Sequence, residues 1–360
     1  MLIDRIEYKY FILLIGLLFS DILSYAGLSV VTKILFLLSF VFILKESKTS
    51  ASYAALGTIF VLYTFFFVGF LLGIHNLSYF IFPILVITGF LLAQSTFNPD
   101  HFRTFVVFFL FINGFALVLE KFTGGYLIDS GHQYSLIQGQ GLFSWTKVQG
   151  EFLIAMSLLF SKDRSVLLIL LLSALLSGVR ASVLLIGLLL VFTFLSSYDL
   201  KNKVKNKYLV LSLLASIFFL VPVFQQTFTP HNIQRYTSMV DIGSSTYSVR
   251  EYVHNLHYDC ILGYSPDQLI FGNGEYCQKL FNWGAESTTL HAIEYYGLIL
   301  SLGLFAYFAY ILLKNIIWLN YQKVGILLIL IVYMWNWRFG FTYTGIFLWW
   351  YIFRMTNRYV

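Results

Sequence analysis

Charge is scarce in this sequence. Only 11% of its 360 residues are Asp, Glu, Lys or Arg, whereas a soluble domain carries about 25%, and that shortfall excludes a water-solvated globular domain. Cysteine occurs twice, so at most one intrachain disulfide can form. Neither a Walker loop nor a Rossmann glycine pattern is present, which leaves nucleotide use without support. Metal ligands are also short. His254 and His257 stand three apart with no third and fourth ligand at a zinc-site spacing, and the plainer reading of them is a solvated helix face. The opening "MLIDRIEYKY" leads into an apolar run without a small-x-small cleavage site, which predicts an uncleaved first helix rather than a removed signal peptide.

Apolar surface is abundant. Hydrophobic residues make up 59% of the chain, with 38 Phe and 25 Tyr, and the mean hydropathy is +0.78. Such a chain reads as an all-α, polytopic membrane protein, a single integral membrane domain over residues 1–360. The net charge of +6 does not point to nucleic acid. The basic residues fall in short clusters between apolar runs, where they set orientation in the membrane.

With about 20 apolar residues needed per crossing, twelve candidate helices emerge, several of them short. They lie near residues 10–25, 28–44, 51–73, 78–95, 104–119, 145–160, 165–177, 181–197, 208–224, 289–313, 324–337 and 340–353. Alternating sides from a cytoplasmic N-terminus puts 15 of the 23 Lys and Arg inside, including Lys45, Lys48, Arg103, Lys162, Arg164 and the run Lys201 to Lys207. This bias supports that orientation and leaves both termini cytoplasmic. It also leaves two long outer loops, 120–147 and 225–288.

Within "LLSGVRASVLLIGLLL" a turn at Ser177 and Gly178 divides two apolar runs and leaves Arg180 between them. Roughly 24 Å of helix separates Arg164 from Arg180, so Arg180 falls just below the outer boundary of an apolar core about 30 Å thick. An ionised group there either serves a functional site or snorkels to the interface. Asp21 and Lys33, in the first two spans, could form a buried pair or sit at solvated helix ends.

The first outer loop mixes glycines, amides and aromatics, a composition that suits either a sugar path or any interfacial loop. Lys147 and Glu151 follow it at i, i+4, the spacing of a helix-end ion pair. In the second loop, "STYSVREYVHNLHYDCIL" predicts an amphipathic helix with Val249, Val253, Leu256 and Cys260 on its apolar side and Arg250 alongside. Arg235 precedes it. "SPDQLIFGNGEY" reads as a breaker-rich stretch, its "GNGEY" as a turn. Cys260 and Cys277 both fall in this loop, where they form either a disulfide or two buried thiols. Ser287 or Thr288 caps the next helix, and Glu286, His291 and Glu294 recur near its outer end. A carboxylate beside an imidazole can raise its basicity; an interfacial histidine with a helix-end acid is the alternative.

Together, "SGVRAS" at an outer hairpin, an arginine early in a large outer loop, "FGNG" and "TLHAIEYYGLI" opening a span resemble the Wzy and WaaL superfamily of bacterial O-antigen polymerases and ligases. Here Val179 stands where that family has a small polar residue, and Ala292 where it often has asparagine. The resemblance implies a GT-C-like fold in the bacterial inner membrane with its active site facing the periplasm. It also implies glycosyl transfer from an undecaprenyl diphosphate-linked oligosaccharide to a lipid-linked acceptor, by an inverting mechanism without metal or other cofactor. On that reading Arg180 and Arg250 grip the diphosphate and His291 is the general base. Glu294 or Glu286 orients the histidine, while Arg235, Arg338 and Lys147 contact substrate. A chain-length regulator of the Wzz type is the implied protein partner. The polymerase reading is preferred to a ligase acting on lipid A core, and both to a lipid-linked oligosaccharide flippase, for which internal repeats are expected and none is evident.

Overall fold

The computed structural model describes residues 16, 19–20, 23, 26–71, 81–95, 97–125, 140–143, 146–196, 245–281, 284–285, 287–318, 321–336 and 343–356. The helices run α1 Ser29–Glu46, α2 Thr49–Leu71, α3 Ile81–Ala93, α4 Arg103–Thr123, α5 Thr146–Leu159, α6 Arg164–Ser177 and α7 Arg180–Ser196. Then come α8 Ser245–Leu262, α9 Pro266–Phe271, α10 Tyr276–Phe281, α11 Thr288–Ile317, α12 Tyr321–Asn336 and α13 Gly345–Arg354. Among the described residues the architecture is all-helical, without a strand. Among the described residues, three segments are long and apolar enough to cross a membrane: Thr49–Leu71, Pro99–Thr123 and Thr288–Ile317. The expected spans 10–25 and 208–224 lie outside the described residues, apart from isolated positions in the first.

The chain divides into two compact units. One comprises Met1–Ile6, Leu18–Thr32 and Asn98–Asp241; the other comprises Glu7–Leu17, Lys33–Phe97 and Ile242–Val360. In the first, α4 buries Val106, Phe109, Leu110, Asn113, Leu117 and Glu120, a helical stripe by spacing. Its opposite face exposes Phe108, Phe111, Phe115 and Phe122. A helix apolar on both faces belongs in lipid. The reversal at Ser177 and Gly178 forms as the sequence predicts: Gly178 adopts φ 69° and its N–H donates to the carbonyls of Ala174 and Leu175, the usual glycine stop. Ser182 Oγ donates to Gly150 O at 3.1 Å, fastening α7 to α5. Asp163 caps α6 by accepting from the amides of Ser165 and Val166 and pairs with Arg103 at the start of α4.

Residues 140–142, which precede α5, pack against α4. Glu120 Oε2 accepts from the amides of Gln140 and Gly141 at 2.8 and 3.0 Å, and Asn113 Oδ1 accepts from Leu142 at 2.9 Å. Glu120 is buried; the two amides are its compensation for lost water.

In the second unit α3 and α13 cross at a glycine. A Cβ on Gly89 would lie 2.4 Å from Trp349 Cβ and 2.9 Å from Ile346 O, so the backbones approach as only a small residue permits. Trp349 is fully buried there. Asn315 Nδ2 donates to Ile311 O and across to Met355 O, joining α11 to the end of α13. Lys33 on α1 is exposed, while Asp21, its suggested partner, lies outside the described residues.

Two outcomes follow from this packing. Gly89→Ala destabilises by about 1–3 kcal/mol through overpacking, measured as a lowered thermal midpoint in detergent. Gly57→Ala, at a helical glycine with open space around it, leaves the midpoint unchanged or slightly raised. The second outcome concerns Asp163. Burial alone raises its carboxyl; the Arg103 guanidinium with the Ser165 and Val166 amides outweighs burial and holds it below the ordinary 3.8. A depressed folded value contributes stability above the unfolded value that is lost as pH falls through the folded one. Lowering the pH from about 7 to about 3 therefore reduces the midpoint more in the parent than in Asp163→Asn.

Candidate functional site

The site is built on the N-terminal half of α11. Ser287 Oγ accepts from Leu290 N and starts the helix, as the sequence suggests. The helix then breaks at Gly297, whose φ of 74° and ψ of 177° lie outside helical space, in a region open essentially to glycine. A helix interrupted there leaves carbonyls without their usual donors. The carbonyl of Glu294 is served instead by the amide of Asn273 at 2.7 Å.

The "FGNG" segment thus has a task that its reading as a turn missed. A Cβ on Gly297 would fall 2.0 Å from Ile270 O, and one on Gly272 2.6 Å from Tyr295 C. Two backbones touch with no side chain between them, which only paired glycines allow. Phe66 and Phe82 pack on Tyr296 beside the break, and Phe65 on Phe271.

Above this half-helix lies a small cap made of α8, α9 and α10. Cys260 and Cys277 are joined in a disulfide, linking α8 to α10, and Tyr264 OH lies 3.1 Å from Cys277 Sγ. Burial first, and the charge of Glu294 second, push the Tyr264 hydroxyl up, so it stays protonated as a donor. Ile261, Tyr264, Cys277, Ala285 and Leu290 form the apolar centre. Helix α9 begins with a capping box between Ser265 and Gln268.

Inside the cap sits a buried acid–imidazole pair. His257 Nδ1 lies 3.0 Å from Glu294 Oε2, and both side chains are 0% exposed. The other oxygen, Oε1, accepts from Gln278 N at 3.1 Å, and Gln278 Oε1 accepts from Tyr295 OH. This overturns one expectation. His257 is not on a solvated face: it shares a buried stripe with Val253, Ile261 and Tyr264, four and then three residues apart, so the helix turns it inward. His291 itself is 1% exposed and lies against Tyr295, ring centroids 3.8 Å apart. Leu256 and Cys260, expected on the apolar side of α8, are half-buried at its flanks.

The other anticipated residues are located by backbone only, or not at all. Arg180 is the first residue of α7, directly after the Gly178 reversal. Arg250 stands seven residues before His257 on α8, and Lys147 is the second residue of α5. Glu151, its suggested i, i+4 partner, is buried. Arg235, Glu286 and Arg338 lie outside the described residues.

Searches against protein-family models, curated proteins and solved structures give no match, so the site must be read from its own chemistry. A buried carboxylate holding a buried imidazole fixes that ring's tautomer and orientation. One turn earlier, His291 stands beside an aromatic shelf at the same helix end.

The buried pair makes a measurable demand. Glu294→Ala takes the carboxylate from His257 Nδ1 and from the Gln278 amide and costs about 1–3 kcal/mol, whereas His257→Phe combined with Glu294→Leu costs less than Glu294→Ala alone. Thermal midpoints of the single and double variants check this; equal loss in all of them contradicts a coupled pair.

Proposed function

We propose that this chain is a membrane glycosyltransferase that polymerises a surface polysaccharide from undecaprenyl diphosphate-linked oligosaccharides. The observation that carries the reading is a buried histidine, His291, at the start of a long and largely apolar helix, beside a disulfide-bonded cap. Ionisable groups at membrane depth are expensive and mark sites of chemistry. The motif order from "SGVRAS" through "FGNG" to "TLHAIEYYGLI" supports it independently.

On this reading the chain spans the bacterial inner membrane about twelve times in a GT-C-like arrangement, with both termini in the cytoplasm and the cap on the periplasmic side. The acceptor hydroxyl oxygen attacks the anomeric carbon of the donor glycan as the bond to the lipid diphosphate breaks, inverting the configuration. The hydroxyl proton passes to His291. Negative charge collects on the departing diphosphate, and Arg180 and Arg250 meet it with planar, permanently charged forks. Arg235, Arg338 and Lys147 extend the contacts along the glycan or diphosphate, and Glu294 or Glu286 orients the histidine.

Purified protein incubated with lipid-linked repeat units should yield a ladder of longer glycans. His291→Ala should lose about 10²–10⁴ in rate. Arg180→Ala and Arg250→Ala should abolish the ladder, and lysine at either position should not restore it fully. Product that forms only when lipid A core is supplied would replace the polymerase reading, and full activity in all three alanine variants, folded and membrane-inserted, would overturn the assigned chemistry.

A further inference from the structure

The cap brings together more metal-ligand chemistry than its oxidised form uses. Nδ1 or Nε2 of His257, Sγ of Cys277 and a carboxylate oxygen of Glu294 all lie within 4.8 Å of one another, and all three residues are buried. Cys260 Sγ is bonded to Cys277 Sγ and therefore borders the same cluster. In the disulfide neither sulfur is a thiolate, so the cluster has two usable ligands. Breaking that bond gives it four.

We propose that reduction of the Cys260–Cys277 bond converts this cluster into a tetrahedral zinc(II) site with Cys260, Cys277, His257 and Glu294 as ligands. A dithiol reductant supplies the two electrons and two protons that turn the disulfide into two thiols, and is itself oxidised to a disulfide. Zinc(II) then displaces both thiol protons to solvent. His257 binds as the neutral imidazole through Nδ1, its proton residing on Nε2.

The geometry favours such a site. Zinc–ligand bonds of about 2.0–2.3 Å place tetrahedral donors about 3.3–3.8 Å apart. His257 Nδ1 and Glu294 Oε2 are 3.0 Å apart and need to open only slightly; the sulfurs, released from their bond, separate toward the same range. Two thiolates and one carboxylate around zinc leave one net negative charge, as in a Cys3His site. The ligands come from three elements, α8, α10 and α11. The disulfide ties only the first two directly, so the metal would close the cap in the reduced protein as the bond does in the oxidised one.

Cobalt(II) titration of the full-length protein in detergent tests this, with zinc displacement as the second step. Without oxygen, the protein reduced and freed of reductant should bind one cobalt(II) per chain, with a thiolate-to-cobalt charge-transfer absorption that zinc(II) abolishes. The oxidised protein should bind none at the same concentration. Loss of even an outer-shell partner typically weakens a metal site 10–100-fold, so Glu294→Gln and His257→Ala in reduced protein should each weaken binding by at least about tenfold. Equal binding by oxidised and reduced protein, or absorption that survives Cys260→Ser with Cys277→Ser, would overturn the proposal. The readout is metal binding alone, so it stands or falls separately from the polymerase assay.

Discussion

A carboxylate with no access to water must have its charge met by the protein, and Glu294 is where that requirement organises the second unit. Its side chain is fully buried, its oxygens are taken by a ring nitrogen of α8 and an amide of α10, and its own carbonyl is taken by the loop between α9 and α10. Three elements of the cap are thereby referred to one residue. Six-residue helices such as α9 and α10 have no stability of their own in water. The disulfide and the Glu294 bonds give them positions.

The first unit solves a related problem with different groups. Glu120 is satisfied by two consecutive backbone amides, and Gly141, at φ 60°, lets those amides turn toward it. In both units, then, a connecting segment is seated on a long apolar helix by a buried acid accepting backbone hydrogen bonds. Hydrogen bonds from backbone amides to a carboxylate are among the stronger ones a protein makes.

Helix existence was legible in the sequence because long apolar runs and glycine or proline stops are local signals. The reversal at Gly178, the Ser287 cap and the α8 helix were readable for that reason. The break at Gly297 was not: a lone glycine in an apolar run is also tolerated in an unbroken helix, and only the approach of Gly272 from another element decides it. His257 was misjudged because histidine counts as polar in a periodicity argument, although it falls in register with Val253 and Ile261. Its partner lies 37 residues away, and no spacing rule reaches that far. Treating every histidine in an amphipathic stripe as a buried group in search of an acid would have raised the question.

The contact between Gly272 and Gly297 has an evolutionary corollary. Each excludes a Cβ because the other's backbone occupies the space, and both hold positive φ. Neither position can drift alone: a side chain at either would have to wait for the other strand of the contact to withdraw, and withdrawal would strip Glu294 of the amide on its carbonyl. Lineages descended from this protein should therefore keep or lose the two glycines together, along with the acid three residues upstream of the break.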